Sequence, residues 1–272
     1  ETVADGGESI LDIATANIGN SNRRRLKVHY RSEHESLIAF SNHYFYDGEL
    51  TIFPSPSPTS SRVDLGVYLQ DTDGLFVNKE NLIEANAIVD AIFAHAKRYE
   101  SFETAPSLGV ATFNRQQADL IETVLYARSN QDPAAARILS KYESRTDAPL
   151  FIKNLERVQG DERDVIFISY TYGPSEVGGR VAQNFGPINL ETGWRRLNVL
   201  VTRAKQQVRV FSSMRHGDIS ADVGRKGRIA MRNYLQYVDE GVLPDHGKID
   251  NRREPDSDFE ISVANALANF GV

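Results

Sequence analysis

The run Val165-Ile166-Phe167-Ile168-Ser169-Tyr170 is apolar on both faces of the strand it would form. Side chains of a strand alternate between two sides, so this run needs cover above and below. A central strand of a parallel sheet with helices on each face meets that demand. Matching pieces lie on either side of it. Residues 108–113 form a second buried-strand candidate, and residues 151–155 and 208–212 read as further strands. Longer stretches between them carry apolar residues at helical spacing. Strands alternating with crossover helices imply an α/β fold around a parallel sheet. At 272 residues the chain can bury a substantial core in one large domain or two smaller ones.

Local signals divide the chain further. Residues 26–30 read as a strand, and residues 33–46 as a helix with Ser32 at the N-cap and Glu35 completing a capping box. Asp47-Gly48 ends that helix. The segment Pro54-Ser55-Pro56-Ser57-Pro58 suits neither helix nor central strand and reads as a surface loop. Residues 63–70 alternate like an edge or half-buried strand. A helix over residues 79–99 is expected to present Leu82, Ile83, Ala87, Val89, Ile92 and Phe93 as its apolar face. Another follows over residues 115–128, and Asp132-Pro133 opens a third with aspartate at the N-cap and proline at N1. Residues 194–205 read as a helix whose buried stripe is Leu197, Leu200, Val201 and Ala204. Residues 1–240 thus form the main domain, residues 241–257 a linker, and residues 258–272 an amphipathic terminal helix.

Composition narrows the chemistry. The absence of cysteine excludes disulfides, cysteine-ligated zinc and a thiol nucleophile, and fits a cytoplasmic protein. No run approaches the ~18 apolar residues that span a membrane. The chain starts at Glu1 without a basic-then-apolar leader, which suggests a piece of a longer polypeptide. A net charge of −6 argues against nucleic-acid binding by bulk charge and leaves local patches, Arg23-Arg24-Arg25 and residues 225–232. His29, His34 and His43 lack regular ligand spacing, so no metal site is expected. No Gly-x-x-x-x-Gly-Lys-Ser/Thr occurs, so the chain has no phosphate-binding loop.

Three segments nevertheless carry groups suited to a nucleotide. His29-Tyr30-Arg31 places a flat ring and a forked, permanently charged guanidinium at the end of a strand. Residues 158–164 combine Gln159, Gly160 and Glu162 just before the central strand. Arg196 and Arg203 are seven residues apart and would share one flank of the buried helical stripe. There each could meet phosphate charge, or merely cover apolar surface with its stem. Ligands in open parallel sheets collect at the carboxyl ends of strands, and the three segments are expected to converge on such an edge.

Together they resemble the second RecA-like domain of superfamily I DNA/RNA helicases, in the branch of the nonsense-mediated-decay helicase, over roughly residues 9–238. Tyr30-Arg31 matches motif IV, residues 158–164 leading into Val165 match motif V, and Arg196-Leu197-Asn198-Val199 with Val201-Thr202-Arg203-Ala204 matches motif VI. Ser32-Glu33-His34 stands where that branch has Met-His-Pro. The resemblance implies a RecA-like P-loop NTPase fold without its own P-loop, with helices on both faces of the sheet. It also implies ATP with Mg²⁺ held against the first RecA-like domain of the same polypeptide, and single-stranded DNA or RNA as partner.

By the same resemblance, Tyr30 flanks the adenine, Arg31 meets the γ-phosphate, Gln159 and Gly160 line the interdomain cleft, and Glu162 faces the ribose. Arg203 is the arginine finger, with Arg196 and Asn198 supporting it. Thr112 and Asn114 face the nucleic-acid backbone. Phosphate cradle and metal carboxylates belong to the first domain, so this chain alone is expected to hydrolyse no ATP. The terminal segment around Asp258-Phe259-Glu260 resembles the opening helix of very-short-patch-repair-type endonuclease domains. The competing reading is a non-catalytic nucleic-acid or protein-binding module that retains the RecA-like fold.

Overall fold

The two-faced run takes the central place that its pattern demands. In a computed structural model the described residues are 14, 17, 27–53, 55, 65–99, 105–220 and 225–244. The strands are β1 (Val28–His29), β2 (Thr51–Ile52), β3 (Gly66–Asp71), β4 (Leu108–Thr112), β5 (Phe151–Asn154), β6 (Arg163–Ser169) and β7 (Ala204–Ser212). The helices are α1 (Ser36–Phe45), α2 (Leu82–Arg98), α3 (Arg115–Gln131), α4 (Pro133–Ser144), α5 (Gly193–Val201) and α6 (Lys226–Glu240). Five strands form one sheet in the order β3-β7-β6-β4-β5, with β6 in the middle. Every pairing in it is parallel.

Alternation along β6 splits the core in two. Val165 and Phe167 join Leu108, Val110 and Phe211 beneath α2, α3 and α4. Ile166 and Ile168 point to the other side, where they meet Leu197 and Leu200 of α5 and Met231 and Leu235 of α6. The predicted α/β architecture, a parallel sheet with helices on both faces, is therefore present. No described helix is long and apolar enough to cross a membrane.

Gly193 and Gly227 let two helices start unusually close together. A Cβ on either residue would lie 2.1 Å from the Ile188 carbonyl oxygen, so α5 and α6 begin packed around a single backbone atom. Only glycine permits that approach.

Several local expectations need correction. Ser32 does not cap α1. Its N–H and hydroxyl instead meet His29 Nε2 at 3.2 and 2.8 Å, and the Ser36 N–H donates to His34 Nδ1 at 3.1 Å. Glu35 is drawn away from the capping box by the Ser55 N–H, at 2.7 Å. Leu82 and Ile83 are 58% and 52% exposed, whereas Glu84 and Ala85 are fully buried. The reason lies in the cap. Asn81 accepts the Glu84 N–H and donates its own N–H to Gln117, which turns the first turn of α2 so that Glu84 faces inward.

Helix α5 stops at Val201, four residues short of the predicted end at residue 205. Ala204 instead enters β7 opposite Arg163, and sheet pairing overrides helical spacing. The Thr202 hydroxyl donates back to the Asn198 and Val199 carbonyls at 2.9 and 3.1 Å, which closes the helix end. Strand β1 pairs with the short, unpredicted β2 in a separate two-stranded sheet. The basic stretch 225–232 is not wholly a solvated face, because Arg228 is buried and donates to Ser220. Most of the Pro-rich loop, Arg23-Arg24-Arg25, residues 245–257 of the linker and the terminal helix lie outside the described residues.

Candidate functional site

The three segments do converge, but at the opposite edge from the one expected. Glu162 immediately precedes β6 and Arg203 immediately precedes β7, and Arg163 pairs with Ala204. Both groups therefore come from the amino ends of parallel strands, because each block feeds a strand instead of leaving one. Arg31 arrives from the carboxyl end of β1 on the small sheet. The Glu33 N–H donates to the Lys205 carbonyl at 2.7 Å and ties that segment to β7.

Charge is concentrated here. One oxygen of Glu162 lies 3.1 Å from Arg31 Nε, and the other lies 3.1 Å from Lys205 Nζ. The bond from Lys205, together with the nearby charges of Arg31 and Arg203, holds the Glu162 carboxyl below the usual carboxylate range. Each pair is about 40% exposed, so each adds only about 0–1 kcal/mol to folding. Their effect is geometric. Three cations gather around this one carboxylate, an arrangement that suits an incoming anion.

Arg203 sits on the connection after α5, not on the helix flank predicted for it. Its Nε donates to the Val199 carbonyl at 2.7 Å and one Nη2 hydrogen to Thr202 Oγ1 at 3.0 Å, which orients the planar group and leaves Nη1 outside these bonds. Burial, and then the charge of Arg31, lower its pKa from the ordinary arginine value. Tyr30, Arg31 and Arg203 line one recess of about 530 Å³ with Lys27, His29 and Tyr46. Tyr30 is 84% exposed, so its ring face is open to solvent.

Gln159 and Arg196 are brought together elsewhere, in a smaller recess of about 240 Å³ with Leu155, Glu156 and Val199. Val199 is shared ground, since its carbonyl also holds Arg203. Asn198 donates to the Tyr46 hydroxyl at 3.3 Å, behind the wall of the larger recess. Gly160 is exposed at φ 90°, a left-handed turn with open space where a Cβ would stand. Asp161 is occupied by Lys153 at 2.7 Å, and Asp164 accepts the N–H and hydroxyl of Ser107, both at 2.7 Å.

The other end of the sheet holds Thr112 and Asn114. Thr112 is fully buried and donates its hydroxyl to the Asn114 carbonyl at 2.5 Å. The Asn114 side chain caps α3 and donates to the Lys79 carbonyl at 3.0 Å. In this conformation Thr112 has no surface to offer a strand. Beside them lies a buried network absent from the sequence reading. Glu84 accepts from the Ser169 hydroxyl at 2.5 Å and the Thr171 N–H at 2.7 Å, with Ser213 Oγ at 3.4 Å. Burial pushes its carboxyl up to about 8. Thr171 adopts φ 68°, a strained left-handed geometry held by that bond. The signal for this network was a glutamate one position after two apolar residues in a capped first turn.

A helix-flanked parallel sheet, with a cationic recess at the amino ends of two inner strands, defines an α/β domain of the RecA-like or AAA type. The chain belongs to the AAA domain family, whose model matches residues 8–215. It is 35% identical over 262 residues to an uncharacterized ATP-dependent helicase of Mycoplasma genitalium, covering 90% of this chain and 21% of that protein. The homolog in Mycoplasma pneumoniae is 32% identical over 255 residues, with the same shares covered. The chain thus spans 21% of the length of the curated relatives it matches. The C-terminal domain of a possible DNA helicase from Lactobacillus plantarum is similar at 12% identity and a TM-score of 0.37, over 67% of this chain and 86% of that one.

Proposed function

We propose that the chain is the second RecA-like, C-terminal motor domain of an ATP-dependent superfamily I helicase working on single-stranded DNA or RNA in the cytoplasm. Residues 1–240 make up this motor domain, residues 241–257 link it onward, and residues 258–272 open an endonuclease-like domain. One observation carries the reading. Tyr30, Arg31 and Arg203 line a single recess in a chain whose sequence has no phosphate-binding loop. The helicase relatives support it, because an arginine-bearing domain without a phosphate cradle makes chemical sense as one wall of a shared nucleotide cleft.

In this reading Arg31 and Arg203 meet the triphosphate, with Arg203 stabilising charge as the γ-phosphoryl group transfers. The ring of Tyr30 flanks the adenine, and Glu162 faces the ribose. Gln159 and Arg196 border the same cleft from the neighbouring recess, Gly160 lines it from its exposed turn, and Asn198 supports it through Tyr46. The first RecA-like domain of the polypeptide supplies the phosphate loop and the carboxylates for Mg²⁺. ATP-driven closure of the two domains then moves the strand, gripped through its backbone and stacked bases. Thr112 and Asn114 act on that strand through the turn they shape.

The test is single-strand-stimulated ATP hydrolysis by the full-length polypeptide and by its Arg203→Ala variant. The expected result is stimulated turnover that the substitution abolishes. Turnover indifferent to Arg203→Ala refutes the finger assignment. Stimulated turnover by the 272-residue chain alone refutes the half-site reading.

A further inference from the structure

The ladder between β6 and β7 is irregular beside the site. Arg163 pairs with Ala204 and Val165 with Gln207, so the register advances two residues on β6 and three on β7. The extra residue makes a bulge at Lys205-Gln206, a device that re-aims side chains. Both side chains use it. Lys205 Nζ reaches Glu162, and Gln206 Nε2 donates to Glu33 Oε1 at 3.0 Å. The bulge also frees the Lys205 carbonyl to accept the Glu33 N–H. Arg31 is thereby approached from two sides: its backbone through Glu33, two residues on, and its guanidinium through Glu162.

We propose that Lys205 is a positioning residue for Arg31, acting through Glu162. A carboxylate beside two arginines favours a bidentate, fork-to-fork grip on one of them. Such a grip on Arg31 would take one or two of the four Nη hydrogens that an anion could use. Lys205 prevents it by holding one carboxylate oxygen, which leaves Glu162 a single oxygen for Arg31 Nε. The guanidinium is then met by Glu162 at Nε. Pre-orienting a mobile side chain lowers the cost of its later contact with a ligand. Lys205 itself touches no reacting atom in this scheme. Its catalytic consequence rests on the helicase reading, but its coupling to Arg31 does not.

The test has two arms. In the chain itself, nitrogen NMR of the arginine side chains follows Arg31, with its signal assigned from Arg31→Lys. Lys205→Met is expected to shift the Arg31 Nε resonance and slow rotation of its Nη groups. Lys205→Arg is expected to keep the native signals, and Lys205→Met combined with Glu162→Gln to restore fast rotation. In the full-length polypeptide, Lys205→Met is expected to lower kcat/KM for ATP by roughly ten- to a hundredfold. Adding it to Glu162→Gln is expected to cause no further loss. Unchanged Arg31 signals in Lys205→Met overturn the proposal, as do losses that multiply in the double variant. If the full-length polypeptide hydrolyses no ATP, the helicase reading fails while the NMR arm still decides the role of Lys205.

Discussion

The backbone N–H of Arg163 donates to the carbonyl of Arg203 at 3.2 Å. That bond brings two blocks, forty residues apart in sequence, to one end of the sheet. Glu162 and Arg203 are therefore neighbours by strand pairing and do not depend on the recess being filled. The arginine at position 203 is held by its own Nε and one Nη2 hydrogen. Lysine has no such fork. Arg203→Lys is thus expected to lower ATP turnover by the full-length polypeptide almost as far as Arg203→Ala, about a thousandfold or more. Steady-state kinetics of the two variants check this, and near-native turnover in Arg203→Lys would show that charge alone suffices.

Glu84 makes folding stability depend on pH in an unusual direction. Its folded carboxyl holds a proton up to about pH 8, whereas the unfolded chain releases it near the ordinary value of 4.5. The folded state therefore binds more protons between those values, and its stability falls as pH rises through them. The contribution is complete below about 4.5 and lost above about 8. Glu84→Gln, which stays neutral, is expected to flatten this slope by a few kcal/mol. Urea midpoints of both proteins at the two ends of the range measure it. Equal slopes would mean that Glu84 is ionised when buried.

Gly193 and Gly227 are expected to reject even a methyl group. Alanine at either place would press against the Ile188 carbonyl, and backbone yields less readily than a side chain. Each substitution should cost about 1–3 kcal/mol or more by overpacking. Gly160→Ala meets no neighbour and should cost only its strained φ, about 1–2 kcal/mol. Thermal unfolding of the three variants ranks them, and a milder effect at Gly193 or Gly227 than at Gly160 would contradict the packing argument.

His29 should titrate below 6.5, because burial, and then the charge of Arg31, disfavour its protonated form. The Ser32 N–H also needs a bare Nε2 to donate to. The stabilising contribution is present above 6.5 and is lost as pH falls through the lower folded value. Arg31→Ala should raise the ring's titration only part of the way back, since burial is the larger cause. Proton NMR of the ring follows it, and full restoration would assign the shift to Arg31 instead.

Patterns that any burial scheme must satisfy were readable from the chain. The two-faced run at residues 165–170 suits a covered central strand, and residues 165–169 lie in β6 at the centre of the sheet; Asp132 before Pro133 caps α4 as expected, accepting the Ala134 N–H. Patterns with two solutions were not. Ala204 completes a helical stripe in sequence, yet it is equally buried as the first residue of β7. Leu82 and Ile83 look like core until the Asn81 cap sets the helix rotation. Lys205 follows the motif residues immediately, but its reach to Glu162 depends on a bulge that only the pairing of β6 with β7 creates. Strand β2, two residues long, is below what periodicity can register.

Strand β6 runs from an end that gathers charge around Glu162 to an end where Ser169 meets the buried carboxyl of Glu84. Glu162 stands just before β6 and Ser169 ends it, seven residue steps apart, a span of roughly 20 Å at strand rise. At that distance substitutions add instead of interfering. Substitutions that retune the Glu84 network at one end are therefore expected to leave the ion pairs of Glu162 with Arg31 and Lys205 in place at the other.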